Sequence, residues 1–203
     1  MTRGRLIAFE GLDQSGKQTQ ALRLGQALAA DGLGVDSFDF PDYTTPIGRE
    51  IGAALAGKRD FPADALQLLY VANRCEHRPA IASALDDGRW VICDRFVAST
   101  VAYGEAQGLD PAWLTTIQQV LPQPDLTVLL DLAPSASARR KQQGRDAFEQ
   151  DLDLLARVRA SYQRQAATAT GWHIVDADRD RDEVARDVLR LVTFTARPTS
   201  PRR

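Results

Sequence analysis

The chain has 203 residues, 44% of them apolar and 26% charged, and its 25 basic against 27 acidic side chains leave a net charge of -2. That balance suits one soluble domain able to bury a full core, and it argues against a nucleic-acid coat or a membrane-surface protein. No apolar run approaches the roughly 18 residues of a bilayer span, and the opening MTRGRLIAF lacks the apolar segment of a secretory signal, so a cytoplasmic protein is expected.

Read in chain order, short apolar strands alternate with amphipathic helices, the pattern of an α/β fold with a five-stranded parallel sheet flanked by helices. The first strand, Leu6 to Glu10, enters the turn Gly11-Leu12-Asp13-Gln14-Ser15-Gly16-Lys17-Gln18-Thr19, and a helix follows with Leu22, Gly25, Leu28 and Ala29 on one face. A glycine-rich turn between strand and helix is the setting of a P-loop. Gly11 and Gly16 let successive backbone N–H groups point at an anion, the helix start adds positive dipole, and Lys17 neutralises outer phosphates, so a nucleoside triphosphate is the implied ligand. The hydroxyl that usually follows the lysine and ligates magnesium is replaced by Gln18. Either the Gln18 amide or water fills that place, or Asp94 and Asp13 hold the ion.

A second strand spans Val35 to Phe40. Thr45-Pro46, a cap followed by proline, starts a helix with Ile47, Ile51, Ala54 and Leu55, and a long helix from about Ala63 to Leu85 follows. On it Tyr70 and Arg74 share a face, where a ring stacks on a base and a guanidinium donates to a carbonyl at its edge. The third strand, Trp90 to Asp94, ends in a carboxylate followed by Arg95, and strand carboxyl ends converge on the ligand crevice of such a sheet. Asp94 suits magnesium or its waters, and Arg95 suits a phosphoryl group. Cys93 in this strand and Cys75 are read as reduced and idle. Asp110-Pro111 opens a helix carrying Trp113, Leu114, Ile117 and Val120, the fourth strand is Leu126 to Leu132, and a proline-started helix leads to Arg139-Arg140-Lys141-Gln142-Gln143-Gly144-Arg145-Asp146. Trp172 to Val175 is the last strand, Val184, Val188, Leu191 and Val192 mark the last helix, and 197–203 reads as a disordered tail, leaving 1–196 as a single domain. Only Lys17, Lys58 and Lys141 are lysines, so 22 of the 25 cations are arginines. Arg74 and Arg95 stand where a base edge and a phosphoryl group would be met and Arg139 to Arg145 concentrate cations, whereas Arg157, Arg159, Arg186 and Arg190 read as solvated helix faces.

Taken together, Phe9-Glu10-Gly11-Leu12-Asp13 with Gly16-Lys17, Phe40-Pro41, Tyr70-Val71-Ala72-Asn73-Arg74 and Asp94-Arg95-Phe96 followed by Ser99 and Tyr103 resemble the thymidylate kinase family from Arg5 to about Val192. The resemblance implies the nucleoside monophosphate kinase form of the P-loop NTPase fold, with ATP and Mg2+ on one side and dTMP on the other, a homodimer, and transfer that yields ADP and dTDP. It implies that Gly11 to Thr19, Arg139 and Asp176 meet ATP. Asp13, Tyr43, Arg49, Tyr70, Arg74, Arg95, Ser99, Tyr103 and Tyr162 would meet dTMP, with Tyr103 disfavouring a ribose 2′-hydroxyl. It makes about 139–150 a lid, whose usual arginine position is Ala147 here; Arg145, Arg140 or Arg139 substitutes, with Arg145 preferred. Lys17, Arg95, Asp13 and Arg145 are thus the expected catalytic residues. Two alternatives remain: another nucleoside monophosphate or deoxynucleoside kinase, and a nucleotide-binding regulatory protein with impaired turnover, which Gln18, Asp42 and Ala147 would permit. No nucleic-acid or membrane partner is expected.

Overall fold

A computed structural model describes residues 3–140, 148 and 151–196. Its strands are β1 (Leu6–Glu10), β2 (Val35–Asp39), β3 (Trp90–Asp94), β4 (Leu126–Asp131) and β5 (Trp172–Asp176), all parallel, in the order β2-β3-β1-β4-β5. The described helices are α1 (Lys17–Ala30), α2 (Pro46–Leu55), α3 (Ala63–Asp86), α4 (Val97–Ala106), α5 (Pro111–Thr116), α6 (Pro134–Arg140), α7 (Leu152–Thr168) and α8 (Arg181–Ala196). Among the described residues no helix is long and apolar enough to cross a membrane. Lys141 to Ala147, most of the expected lid, and the expected disordered tail, 197–203, lie outside the described residues.

β1 is buried at every position, and its side chains divide by the two-residue period of a strand. Ile7 and Phe9 join Leu24 and Leu28 of α1 and Val184 and Val188 of α8 on one face, while Leu6 and Ala8 join Ile81 and Leu85 of α3 on the other. Each such aliphatic or aromatic side chain contributes about 1.5–3 kcal/mol by leaving water. A central strand sandwiched between helices can therefore be a continuous apolar run, as β1, β3 and β4 are. The edge strand β2 is only partly buried.

Two helix faces differ from expectation. α1 buries Ala21, Leu24 and Leu28, whereas Leu22 is 61% exposed, because the sheet-facing stripe runs one residue earlier than the apolar spacing suggests. α5 ends at Thr116, leaving Val120 on the surface. Arg159 is no solvated cation either: it forks onto both oxygens of Asp131 at 2.7 Å and fastens α7 to the end of β4. Thr45 caps α2 as expected, its hydroxyl accepting from the Gly48 N–H.

Register sets the site. Phe9 pairs with Asp94 and with Val128, so β1 and β3 end side by side and the Arg95 N–H donates to the Phe9 carbonyl at 2.8 Å. At the mouth of β2 the chain turns through a cis Phe40-Pro41 bond toward α2, whose first turn lies against that loop. A Cβ on Gly48 would fall 1.7 Å from the Asp42 carbonyl oxygen. Since the clash is with backbone rather than a pliant side chain, Gly48→Ala is expected to cost about 1–3 kcal/mol, read as a lower urea midpoint at unchanged m-value.

Candidate active site

The turn after β1 leads directly into α1. Gly11, Gln14 and Gly16 have φ of 139°, 62° and 93°, so the chain reverses curvature repeatedly before α1 begins at Lys17. At Gly11 a Cβ would sit 2.5 Å from the Leu130 carbonyl oxygen, which restricts the position to glycine. Lys17 is buried and parks its ammonium on the Leu12 carbonyl at 2.9 Å. Burial, then the nearby Arg95 cation, lowers its pKa. The buried Ser15 hydroxyl has no hydrogen-bond partner. Leu12 lends only its backbone, its side chain belonging to the core with Leu129 and Leu155, while Gln18 and Thr19 are exposed at the start of α1.

Beside this cradle stands Arg95, a non-glycine residue in the left-handed region at φ 62°. Its guanidinium donates to Asp13 Oδ1 at 2.6 Å, the Gly11 carbonyl at 3.1 Å, Ser99 Oγ at 3.2 Å, and the Tyr162 and Tyr103 hydroxyls at 3.3 Å. Behind it lies Glu10, fully buried at the end of β1. Glu10 accepts from the Phe96 N–H at 2.8 Å, Ser99 Oγ at 2.6 Å and the Tyr162 hydroxyl at 3.1 Å. Sequence reasoning assigned Glu10 no role in holding the site, because its partners lie 86 to 152 residues away. Asp13 has both oxygens engaged, one by Arg95 and one by the Tyr103 hydroxyl at 3.2 Å, so in this arrangement it holds Arg95. Burial alone would raise the Asp13 carboxyl, but the Arg95 and Lys17 cations outweigh it and hold the group far below the usual carboxylate range.

On the other side of Arg95 is a largely apolar cleft lined by Phe40, Leu55, Tyr70, Arg74, Thr100, Tyr103 and Phe148 among others. Arg74 is buried, donates to Thr100 Oγ1 at 2.6 Å and lies 5.9 Å from the Phe40 ring centre. The next residue back, Asn73, points instead at the 40–45 loop: it accepts from the Asp42 N–H at 2.9 Å and donates to Thr45 Oγ1 at 2.9 Å. Tyr43 lies at the mouth of the cleft. Arg49 does not line it, since its guanidinium donates to the Thr44 carbonyl at 2.6 Å behind the loop.

A larger polar hollow joins the cradle to this loop and takes in Lys17, Gln18, Asp39, Asp42, Asp94 and Arg95. The Asp39 carboxyl is raised by partial desolvation and then by the Asp94 and Asp42 carboxylates. Among the described residues no group of three acidic, His or Cys side chains is arranged to hold an ion alone. One or two carboxylates beside a phosphate cradle do fit Mg2+, which takes its remaining oxygens from phosphates and water. Asp94 borders this hollow, with Asp39 paired beside it across β2 and β3.

Of the basic segment, Arg145 lies outside the described residues. Arg139 is exposed, 3.9 Å from Asp178. Arg140 donates to the Gln14 carbonyl at 3.0 Å and the Ala177 carbonyl at 2.7 Å, stitching the cradle to the loop after β5, where Asp176 accepts from the Asp178 N–H.

The family model described as "Thymidylate kinase" matches residues 9–188. The thymidylate kinase of Homo sapiens is 33% identical over 190 residues, covering 93% of this chain and 90% of the relative, and a probable thymidylate kinase of Pyrococcus abyssi is 38% identical over 200 residues, covering 94% and 96%. A solved thymidylate kinase structure from Candida albicans superposes with a TM-score of 0.81 at 31% identity, covering 95% of this chain and 92% of that one.

The depressed Asp13 pKa predicts an acid-sensitive link. A carboxyl whose folded pKa lies below its ordinary 3.8 adds stability that is complete above that value and is lost as pH falls through the folded one. The thermal midpoint of Asp13→Asn is therefore expected to lie below that of the parent at neutral pH, and the gap to narrow as pH is lowered beneath about 4. A gap independent of pH would mean that the charge on Asp13 is immaterial.

Proposed function

The chain belongs to the thymidylate kinase family, and from the way its cleft is built we infer how it carries the γ-phosphoryl group of ATP to the phosphate of dTMP, giving ADP and dTDP. One observation supports this reading above the others: Arg95 borders both the phosphate hollow and the apolar cleft, so a single cation reaches the seam between donor and acceptor. The reaction needs little covalent help from the protein. An ionised oxygen of dTMP forms a bond to the γ-phosphorus, the bond to the β,γ-bridging oxygen breaks, and ADP leaves, with no proton to be removed from the nucleophile. Positioning and charge neutralisation are what remain to be supplied.

In this reading the turn Gly11 to Thr19 and Lys17 hold the donor phosphates. Arg95, pre-aimed by Asp13, Ser99, Tyr103 and Tyr162, binds the acceptor phosphate and the oxygens being transferred. Tyr70 stacks on thymine while Arg74 donates to a base carbonyl, and Tyr103 packs on the sugar. Asp94, together with the donor phosphates, would hold magnesium, which would supply positive charge to the phosphates. Arg140, already at the cradle, is the described cation nearest to the lid role; Arg145, preferred for that role on the sequence, lies outside the described residues. The enzyme acts as a cytoplasmic homodimer on nucleotides alone, without nucleic acid or membrane.

ADP release assayed with ATP and Mg2+ against dTMP, dUMP, dCMP, dGMP and thymidine tests the substrate. The largest kcat/KM is expected with dTMP, and activity confined to thymidine would overturn the reading in favour of a nucleoside kinase. ATP binding without any transfer would point instead to a regulatory protein. Arg95→Ala is expected to lower kcat by roughly a thousandfold, in the range for removal of a transition-state charge partner. Arg74→Ala chiefly raises the KM for dTMP, and Tyr103→Ala narrows the preference for deoxyribose. Asp94→Asn is expected to raise the Mg2+ concentration for half-maximal rate by about tenfold or more, with the KM for dTMP little changed.

A further inference from the structure

Tyr70 and Arg74 share the cleft-facing side of α3 with a third residue one turn earlier. Gln67 lines the same cleft, is completely buried, and has neither its amide nitrogen nor its amide oxygen hydrogen-bonded. Its spacing from Tyr70 and Arg74 puts it on their helical stripe. A buried amide with both ends unpaired lowers stability, and Leu or Met would fill comparable space without that penalty. Such a group in a binding cleft calls for a ligand with a donor and an acceptor of its own. In the same wall Arg74 Nε is also unpartnered.

The two side chains complement each other. Arginine only donates, and the Thr100 hydroxyl already accepts from Arg74, whereas the Gln67 amide offers a donor and an acceptor together. The edge of thymine presents a carbonyl next to an N–H. We propose that Gln67 is a specificity-determining residue whose amide pairs with the base edge of dTMP, its oxygen accepting from the imide N–H and its nitrogen donating to a carbonyl. This rests on dTMP being the acceptor. It adds to the donors of Arg74 the acceptor that a base bearing an imide N–H requires, and a site built to satisfy such groups penalises ligands that leave them unpaired.

The test compares parent, Gln67→Leu and Gln67→Met in four measurements: calorimetric binding of dTMP, steady-state kinetics with ATP, thermal midpoint without nucleotide, and binding of 2-deoxyribose 5-phosphate, which keeps the sugar phosphate and lacks the base. Both variants are expected to raise the Kd and KM for dTMP by roughly tenfold or more, with kcat within about twofold and the KM for ATP unchanged. Their thermal midpoints should equal or exceed that of the parent, since an unpaired amide has been removed. The affinity for 2-deoxyribose 5-phosphate should not move. Unchanged dTMP binding in the folded variants overturns the proposal, as does an equal loss on both ligands. A lowered thermal midpoint in both variants would make the amide structural and overturn it too. A parent that fails to bind dTMP would refute the substrate assignment itself, whereas a parent that binds it and variants that match the parent refute only the role of Gln67.

Discussion

A guanidinium enclosed among protein groups must be paired at nearly every N–H, and the way Arg95 meets that requirement organises the site. Desolvation opposes its charge, while Asp13 and the surrounding oxygens restore it, so Arg95 stays charged with a pKa raised well above the ordinary arginine value. Its partners come from the cradle (Gly11 and Asp13), α4 (Ser99 and Tyr103) and α7 (Tyr162). Two of them, Ser99 and Tyr162, converge further on Glu10 and on each other, so a carboxylate at the end of the central strand fixes the direction of a cation one residue beyond its neighbour strand. The left-handed backbone at Arg95 belongs to this arrangement, since it turns the side chain back over the sheet end rather than away from it. Preorganisation of this kind leaves little rearrangement for substrate binding to drive.

What was readable from the sequence was whatever is local. β1 and β3 were delimited correctly because buried parallel strands are short apolar runs with charged ends, and α2 because Thr45-Pro46 marks its start. The phosphate turn spells itself out in contiguous residues. α4 carried no such signal: it starts directly after Phe96 with no side-chain cap, and β-branched Val97, Thr100 and Val101 dilute its helical preference. The stripe on α1 was displaced because the sheet, not the apolar spacing alone, decides which side faces inward.

Within the site, Lys17, Tyr70, Arg74 and Arg95, which the proposed mechanism assigns to direct contact with nucleotide, are marked by residue type and spacing. Glu10, Asn73 and Arg140 act through partners remote in sequence: Glu10 meets Tyr162, Asn73 meets Asp42, and Arg140 meets both Gln14 and Ala177. Nothing local distinguishes them from a strand-end acid, a helix amide and a surface cation. The arginine excess divides along the same line, with Arg159 a structural fork on Asp131, Arg74 buried in the cleft wall and Arg95 partly buried beside it.

Asn73 and Arg74 are adjacent on one helix, yet the first grips the loop beside the polar hollow and the second lines the apolar cleft. The spacing between the loop after β2 and the wall of the apolar cleft is thereby written into a single element rather than set by two independent ones. α3 works as a caliper with fixed jaws: whatever shifts the helix moves the 40–45 loop and the cleft wall together.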